Sequence, residues 1–229
     1  MLDITVAPTT PPARLPACRF RFPDPEAADA EGLVASGGDL EPATVVAAYR
    51  AGIFPWPLDA ETLLWWSPDP RAVLPLDALH VSRRLARTVR TGRFRLTVNA
   101  AFGAVVDGCA DRAETWITPA IRAAYGRLHA LGWAHSVEVW TAEGALAGGL
   151  YGVAVGGLFA AESMFHRVRD ASKVALVALV EHARRRGIAL IDVQVATPHL
   201  ARLGVQTISR HEYLARLPRV LARRVRFAD

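Results

Sequence analysis

The stretch that most constrains this chain spans residues 156–194 and has the pattern of strand, helix, strand. Its second strand, residues 189–195, is apolar apart from Asp192 and Gln194, which a side-chain period of two places on one face. In the first strand, residues 157–165, the same period groups Leu158, Ala160, Glu162 and Met164, and Glu162 is the only ionisable group among them. An ionised carboxylate inside an apolar strand is costly unless a partner or a reaction uses it. Two carboxylates and an amide are therefore expected to converge from neighbouring strands. As structural groups they would tie down a loop end; as chemical groups they would handle a proton or a cation. Between the strands, Asp170 or Ser172 is placed to cap a helix, and Gly187 to stop it with a left-handed residue.

A chain of 229 residues forms one large domain, or one with a smaller partner. The formal net charge is +5, and of 27 basic residues all are Arg except Lys173, an excess of guanidinium that suits an anionic partner. Cys18 and Cys109 are too few for a disulfide framework or a zinc site, so a reducing, cytoplasmic setting is expected. Residues 1–19 are proline-rich, lack the apolar core of a signal peptide, and are expected to be a loosely ordered lead-in. Residues 144–161 carry no charge, but their six glycines disfavour a membrane helix, and Val155-Gly156-Gly157 is a turn signal. A hairpin inside a soluble sheet, with no membrane partner, is the expectation.

Taken in order, residues 20–39 look like loop, and a short helix follows from Glu41 to Gly52. Residues 53–71 alternate tryptophan with proline and suggest a stiff aromatic surface rather than regular structure. Trp56, fixed between two prolines, is the candidate to line a pocket or stack on a base, while Trp65 and Trp66 would plug an interface. The chain divides near Glu61, into a small N-terminal domain (residues 1–61) and a main domain (residues 62–229). A helix capped by Ser82 aligns Arg83, Arg87 and Arg90 in one basic stripe, a candidate phosphate contact. The Arg216 to Arg226 cluster reads as a solvated helix face. Over the second half the order is helix, three antiparallel strands, helix, strand, an α+β sheet of N-acetyltransferase type.

Seven short motifs then fall together. They are Tyr49-Arg50-Ala51-Gly52-Ile53-Phe54-Pro55-Trp56, Trp65-Trp66-Ser67-Pro68-Asp69-Pro70-Arg71, His135-Ser136-Val137-Glu138, Gly148-Gly149-Leu150-Tyr151-Gly152, Glu162-Ser163-Met164-Phe165, Ala171-Ser172-Lys173 and Ile191-Asp192-Val193-Gln194. In this order they closely resemble the leucyl/phenylalanyl-tRNA–protein transferase family. The resemblance implies a small N-terminal domain on a GNAT-like domain with a mixed, mainly antiparallel sheet. It implies transfer of Leu or Phe, and possibly Met, from aminoacyl-tRNA to proteins with N-terminal Arg or Lys, which marks them for N-end-rule degradation. No cofactor or metal is implied, because an aminoacyl ester is already activated.

Site roles follow from the resemblance residue by residue. Asp192 and Gln194 would be the catalytic pair, and Glu162 would position the acceptor amine. Trp56, Tyr49 and Trp116 would frame the terminal adenosine. Leu150, Phe159, Ile191 and Leu179 would wall the pocket for the transferred side chain, and Arg83, Arg87 and Arg90 would contact the tRNA backbone. The chain departs from the family where His166 replaces Ser, Val193 replaces Cys, and Leu179 and Ala183 replace aromatics of the pocket helix. A CoA-dependent N-acetyltransferase is the alternative from fold type, but His166-Arg167-Val168-Arg169-Asp170 lacks the glycines of a pyrophosphate loop. A non-catalytic RNA-binding module using the Arg83 stripe leaves Asp192, Gln194 and Glu162 without a purpose.

Overall fold

The computed structural model describes residues 2–59 and 61–228. In chain order its first half comprises β1 (Ile4–Val6), β2 (Leu33–Ser36), α1 (Pro42–Arg50), β3 (Phe54–Pro55), β4 (Leu64–Trp66), β5 (Arg71–Leu74), α2 (Arg83–Arg90), β6 (Arg95–Val98), α3 (Phe102–Ala110) and α4 (Pro119–Ala130). The second half comprises β7 (Ala134–Trp140), β8 (Leu146–Val155), β9 (Leu158–His166), α5 (Ala171–Arg186), β10 (Leu190–Gln194), α6 (Pro198–Ala201), β11 (Gln206–Ile208) and α7 (Arg210–Leu221). Eight strands form one sheet in the order β1-β6-β7-β8-β9-β10-β5-β11, and β2, β4 and β3 form a second. In the large sheet β1/β6 and β9/β10 pair in parallel and the other neighbours are antiparallel. The expected α+β class with a mixed, mainly antiparallel sheet is what the chain adopts.

Both faces of the large sheet are covered, which is why its central strands read as nearly unbroken apolar runs. On one face α5 packs Val174, Leu176, Leu179 and Val180 against Leu74, Val137, Leu150, Phe159 and Ile191. On the other, α1, α3 and α4 lay Tyr49, Val105, Ile121 and Tyr125 over Tyr151, Val153 and Ala160. The helix α7 closes a third cluster, with Tyr213 and Leu217 over Val73, Leu158 and Leu190. The uncharged stretch is the β8–β9 hairpin, in register from Val155–Leu158 around Gly156-Gly157. Among the described residues no helix is long and apolar enough to cross a membrane.

Local signals placed several elements correctly. Ser82 Oγ accepts from Leu85 N at 3.2 Å to start α2, and Gly187, at φ 80°, ends α5 in the left-handed region. Asp170 stands at the start of α5 without capping it; its carboxylate is drawn instead to Arg84 Nη2 at 2.9 Å. Other expectations need correction. The lead-in holds β1, and Leu2 N donates to Glu181 Oε1 at 2.6 Å, so this segment extends the large sheet. Residues 20–39 contain β2, and residues 53–71 contain β3, β4 and the start of β5, where ladder pairing outweighs the stiffness of the prolines. Trp65 is a buried plug, its ring edge-on to Phe22 at 4.9 Å. Because β4 lies beyond Glu61 and β1 joins the large sheet, the two sheets do not separate at that residue.

The His135-Ser136-Val137-Glu138 motif has a structural use. The buried Glu138 accepts from the hydroxyls of Thr97 and Ser136 and, at 3.3 Å each, from the N–H groups of Ala100 and Ala101 ahead of α3. Glu138→Ala leaves these donors without an acceptor and is expected to cost about 3 kcal/mol, lowering Tm by about 6–12 °C for a chain of this size. Thermal melts measure this; a Tm within about 2 °C of the parent would contradict the assignment.

Candidate active site

The two central parallel strands part at the site. β9 and β10 pair from Leu158–Leu190 to Ala160–Asp192, and past that point each carries a bulge. In β9, Ser163 pairs with Tyr151 and Ala161 with Gly152, leaving Glu162 as the extra residue; in β10, Val193 is extra between Asp192 and Gln194. Bulges re-aim side chains, and here they overturn the period-of-two reading. Met164 packs with the α5 core, opposite the helices that Glu162 meets. Gln194 adopts φ 60°, in the left-handed region that costs a non-glycine residue about 1 kcal/mol.

Asp192 holds that strain in place. Its Oδ1 accepts from Gln194 N at 2.9 Å and from Arg71 Nε at 2.9 Å, and its Oδ2 accepts from Arg71 Nη2 at 2.6 Å and Tyr213 Oη at 2.9 Å. Both partners of the pair are fully buried. Burial works against the charge of Arg71, and the facing carboxylate outweighs it, so the guanidinium pKa is raised. The remaining Arg71 nitrogen donates to the Gly52 carbonyl at 3.1 Å, and the guanidinium stacks over the Tyr213 and Phe54 rings at 4.4 and 4.9 Å. Gly52 must be glycine: it ends α1 at φ 79°, and a Cβ would lie 2.5 Å from Leu214.

Glu162 is held differently. Gln194 Nε2 donates to its Oε1 at 3.1 Å and Tyr125 Oη to its Oε2 at 3.0 Å, with Tyr49 Oη 2.6 Å behind Tyr125. Burial raises its pKa, hydrogen bonding from the tyrosines and the charge of Arg71 lower it, and the Asp192 charge raises it, for a net value of about 7. Burial, and then the Glu162 charge, push Tyr49, Tyr125 and Tyr151 well above the ordinary phenol value.

Glu162 and Gln194 open onto a cavity of about 720 Å3 between the parted strands. Trp56 and Trp116, 5.6 Å apart and tilted by 35°, stand on its wall. Leu150, Met164, Leu176, Val193 and Val195 give it apolar surface, Arg112, Glu114 and Thr197 come from flanking loops, and His199 comes from α6. Of the expected site residues, Glu162, Gln194, Trp56, Trp116 and Leu150 therefore meet in one cavity. Asp192 does not reach the wall, because four hydrogen bonds from Arg71, Gln194 and Tyr213 enclose it. Tyr49 lies beneath Glu162 rather than beside Trp56. Phe159 and Ile191 stay in the paired portion of their strands, Phe159 stacked on Phe227 at 4.6 Å, and Leu179 and Ala183 are core residues. α5 presents Leu176 to the cavity instead. Arg83, Arg87 and Arg90 line the exposed side of α2, with no ion pair among the described residues. Sequence reasoning missed Arg71, Tyr125 and Tyr213 as partners of the two carboxylates. The Arg71 and Tyr125 motif and helix positions were visible, but nothing local connects either with a residue on another strand.

A carboxyl with its pKa raised toward neutrality beside an apolar cavity can exchange a proton with a bound ligand. Comparison with known proteins gives the particular case. Residues 73–218 match the family model described as leucyl/phenylalanyl-tRNA protein transferase, and residues 38–69 match the model of that family's N-terminal domain. Curated proteins named leucyl/phenylalanyl-tRNA--protein transferase include one from Anaeromyxobacter sp. (strain Fw109-5), 55% identical over 92% of this chain and 91% of its own length. Another, from Edwardsiella ictaluri (strain 93-146), is 56% identical over 86% of this chain and 82% of its own. The chain belongs to the leucyl/phenylalanyl-tRNA–protein transferase family. Among solved structures, a GCN5-related N-acetyltransferase from Kribbella flavida aligns at TM-score 0.42 and 13% identity, over 70% of this chain and 58% of that one.

The enclosure of Asp192 has a measurable consequence. Arg71→Met and Asp192→Leu, made singly, each strand a buried charge and are expected to cost about 3–5 kcal/mol. The double variant is expected to lose less than either single one. Denaturant unfolding of the three proteins decides it; losses that simply add would contradict a coupled pair.

Proposed function

We propose that the chain transfers Leu or Phe from aminoacyl-tRNA to the α-amino group of proteins beginning with Arg or Lys. The relatives' name supplies the class of donor. The observation that carries the mechanism is Glu162, a carboxyl on the cavity wall with its pKa pushed up to about 7. The acceptor's neutral amine attacks the ester carbonyl, forming the C–N bond while the ester C–O bond to the ribose breaks. Glu162 takes the proton released by the amine and returns it to the departing ribose oxygen. Gln194 and Tyr125 fix both carboxyl oxygens, so that little reorganisation is needed. Asp192 acts one step back, holding Gln194 through its backbone N–H.

The two tryptophans supply flat surfaces for the terminal adenosine, and Leu150, Met164 and Leu176 supply apolar wall for the transferred side chain. The small sheet that carries Trp56 thereby forms part of the donor site, which is the purpose we assign to the N-terminal unit. The Arg83 stripe is proposed to follow the tRNA backbone. Free Cys18 and Cys109 and the family's dependence on tRNA favour a cytoplasmic setting, with the product entering N-end-rule degradation.

Two outcomes test this. In wild type, kcat/KM is expected to rise with pH through about 7, in addition to the acceptor amine's own titration near about 7.7. Glu162→Gln is expected to lose the lower step and about a hundredfold in rate. The same variant has a stability signature of definite sign. Because the native pKa lies above the ordinary carboxyl value of 4.5, the folded state binds the extra proton between 4.5 and about 7. Stability supplied by this group is therefore lost as pH rises through that window, and Glu162→Gln gains on wild type above it. A pH–rate profile unchanged by the substitution would overturn the role. Separately, replacing Arg83, Arg87 and Arg90 by Ala is expected to raise KM for aminoacyl-tRNA and flatten its log–log salt slope by about 2 to 3, at about 0.7 to 0.9 per phosphate contact. An unaltered slope would return the stripe to a solvated face.

A further inference from the structure

Charged and titratable groups stand on both sides of the cavity mouth. On α6 stands His199, whose pKa is lowered by burial first and next by the charge of Lys173 at the start of α5, with smaller contributions from His166 and Arg202. On the loop between α3 and α4 stands Glu114, exposed on the cavity wall and adjacent to Thr115-Trp116. Its neighbour Arg112 is engaged elsewhere, donating from Nε to the Cys109 carbonyl at 2.8 Å and from Nη2 to Ser163 Oγ at 3.1 Å. Among the described residues Glu114 takes part in no ion pair. The cavity thus has two carboxylates on its wall, Glu162 between the strands and Glu114 on the loop, and among the described residues the outer one has no ion-pair partner, although Arg112 lines the same wall.

We propose that Glu114 binds the cationic side chain of the acceptor's first residue, while Glu162 receives its α-amine. This rests on the acceptor reading given above and assigns the residue that enforces it. Elimination supports the choice. A guanidinium or ammonium entering the site needs an anion, and Asp192, the other carboxylate of the region, is enclosed by Arg71 and Tyr213. Glu162 has both oxygens committed and changes its proton during the reaction, so a fixed cation beside it would lower its pKa and weaken it as a base. Glu114 has neither restriction.

The test uses two peptides that differ only in their first residue, Arg in one and its uncharged isostere citrulline in the other, with Phe-tRNA as donor. Wild type is expected to prefer the Arg peptide. In Glu114→Gln that preference is expected to shrink about fivefold, through KM for the Arg peptide, as for loss of one partly solvated ion pair. Glu114→Asp is expected to restore part of it. Added salt should reduce the preference of wild type and leave that of Glu114→Gln unchanged. An unchanged preference in Glu114→Gln overturns the proposal, as does a rise in KM for Phe-tRNA that is equal with both peptides, which would make Glu114 a donor contact. A wild type that transfers to neither peptide overturns the acceptor reading itself, and the Glu114 assignment with it.

Discussion

The buried ion pair between Arg71 and Asp192 is the contact on which the rest of the site depends. It joins β5 to β10 within the large sheet, reaches α7 through Tyr213, and reaches the end of α1 through the Gly52 carbonyl. A buried pair is rarely a net source of stability, since desolvation consumes most of its attraction. Here each of the three guanidinium nitrogens makes a hydrogen bond, and two aromatic rings stack against the group. What the pair provides is position: the small sheet bearing Trp56 and the strand bearing Gln194 are both located relative to one guanidinium.

From this anchor the order passes outward by hydrogen bonds. Asp192 holds the strained Gln194, Gln194 holds Glu162, and the Tyr49–Tyr125 couple holds the other oxygen of Glu162. The two carboxylates differ in environment and so in role. Asp192 faces the full positive charge of Arg71 and organises structure. Glu162 is half-buried against neutral donors, with its pKa moved to the range where a proton can be gained and lost. The cost is borne by the folded state, which is less stable whenever Glu162 is ionised.

Much of this was legible in the sequence, and the part that was not has a physical reason. Ser82, Gly187 and the Gly156-Gly157 turn act over a few residues, so their elements could be placed from the residues alone. The short strands β1, β2 and β4 exist because a partner strand is present, and their own residues announce nothing. The bulges at Glu162 and Val193 were equally invisible, and they determine which carboxylate meets the cavity. A strict period of two put Asp192 and Gln194 on one face, and the family resemblance made them a working pair; the extra residue between them sends Asp192 inward and Gln194 to the wall. Likewise the family resemblance implied a pocket walled by Leu179, Phe159 and Ile191, whereas these residues lie in the core and outside the cavity that Glu162 faces.

The central claim is that Glu162 exchanges a proton near neutrality because burial outweighs its hydrogen bonds. The most direct measurement is an NMR titration of the Glu162 side-chain carboxyl carbon, assigned by its absence in Glu162→Gln. A midpoint close to 7 is what burial against Tyr125 and Gln194 requires. A midpoint near the ordinary value of 4.5 would mean that Glu162 is a permanent anion and that the proton is handled elsewhere.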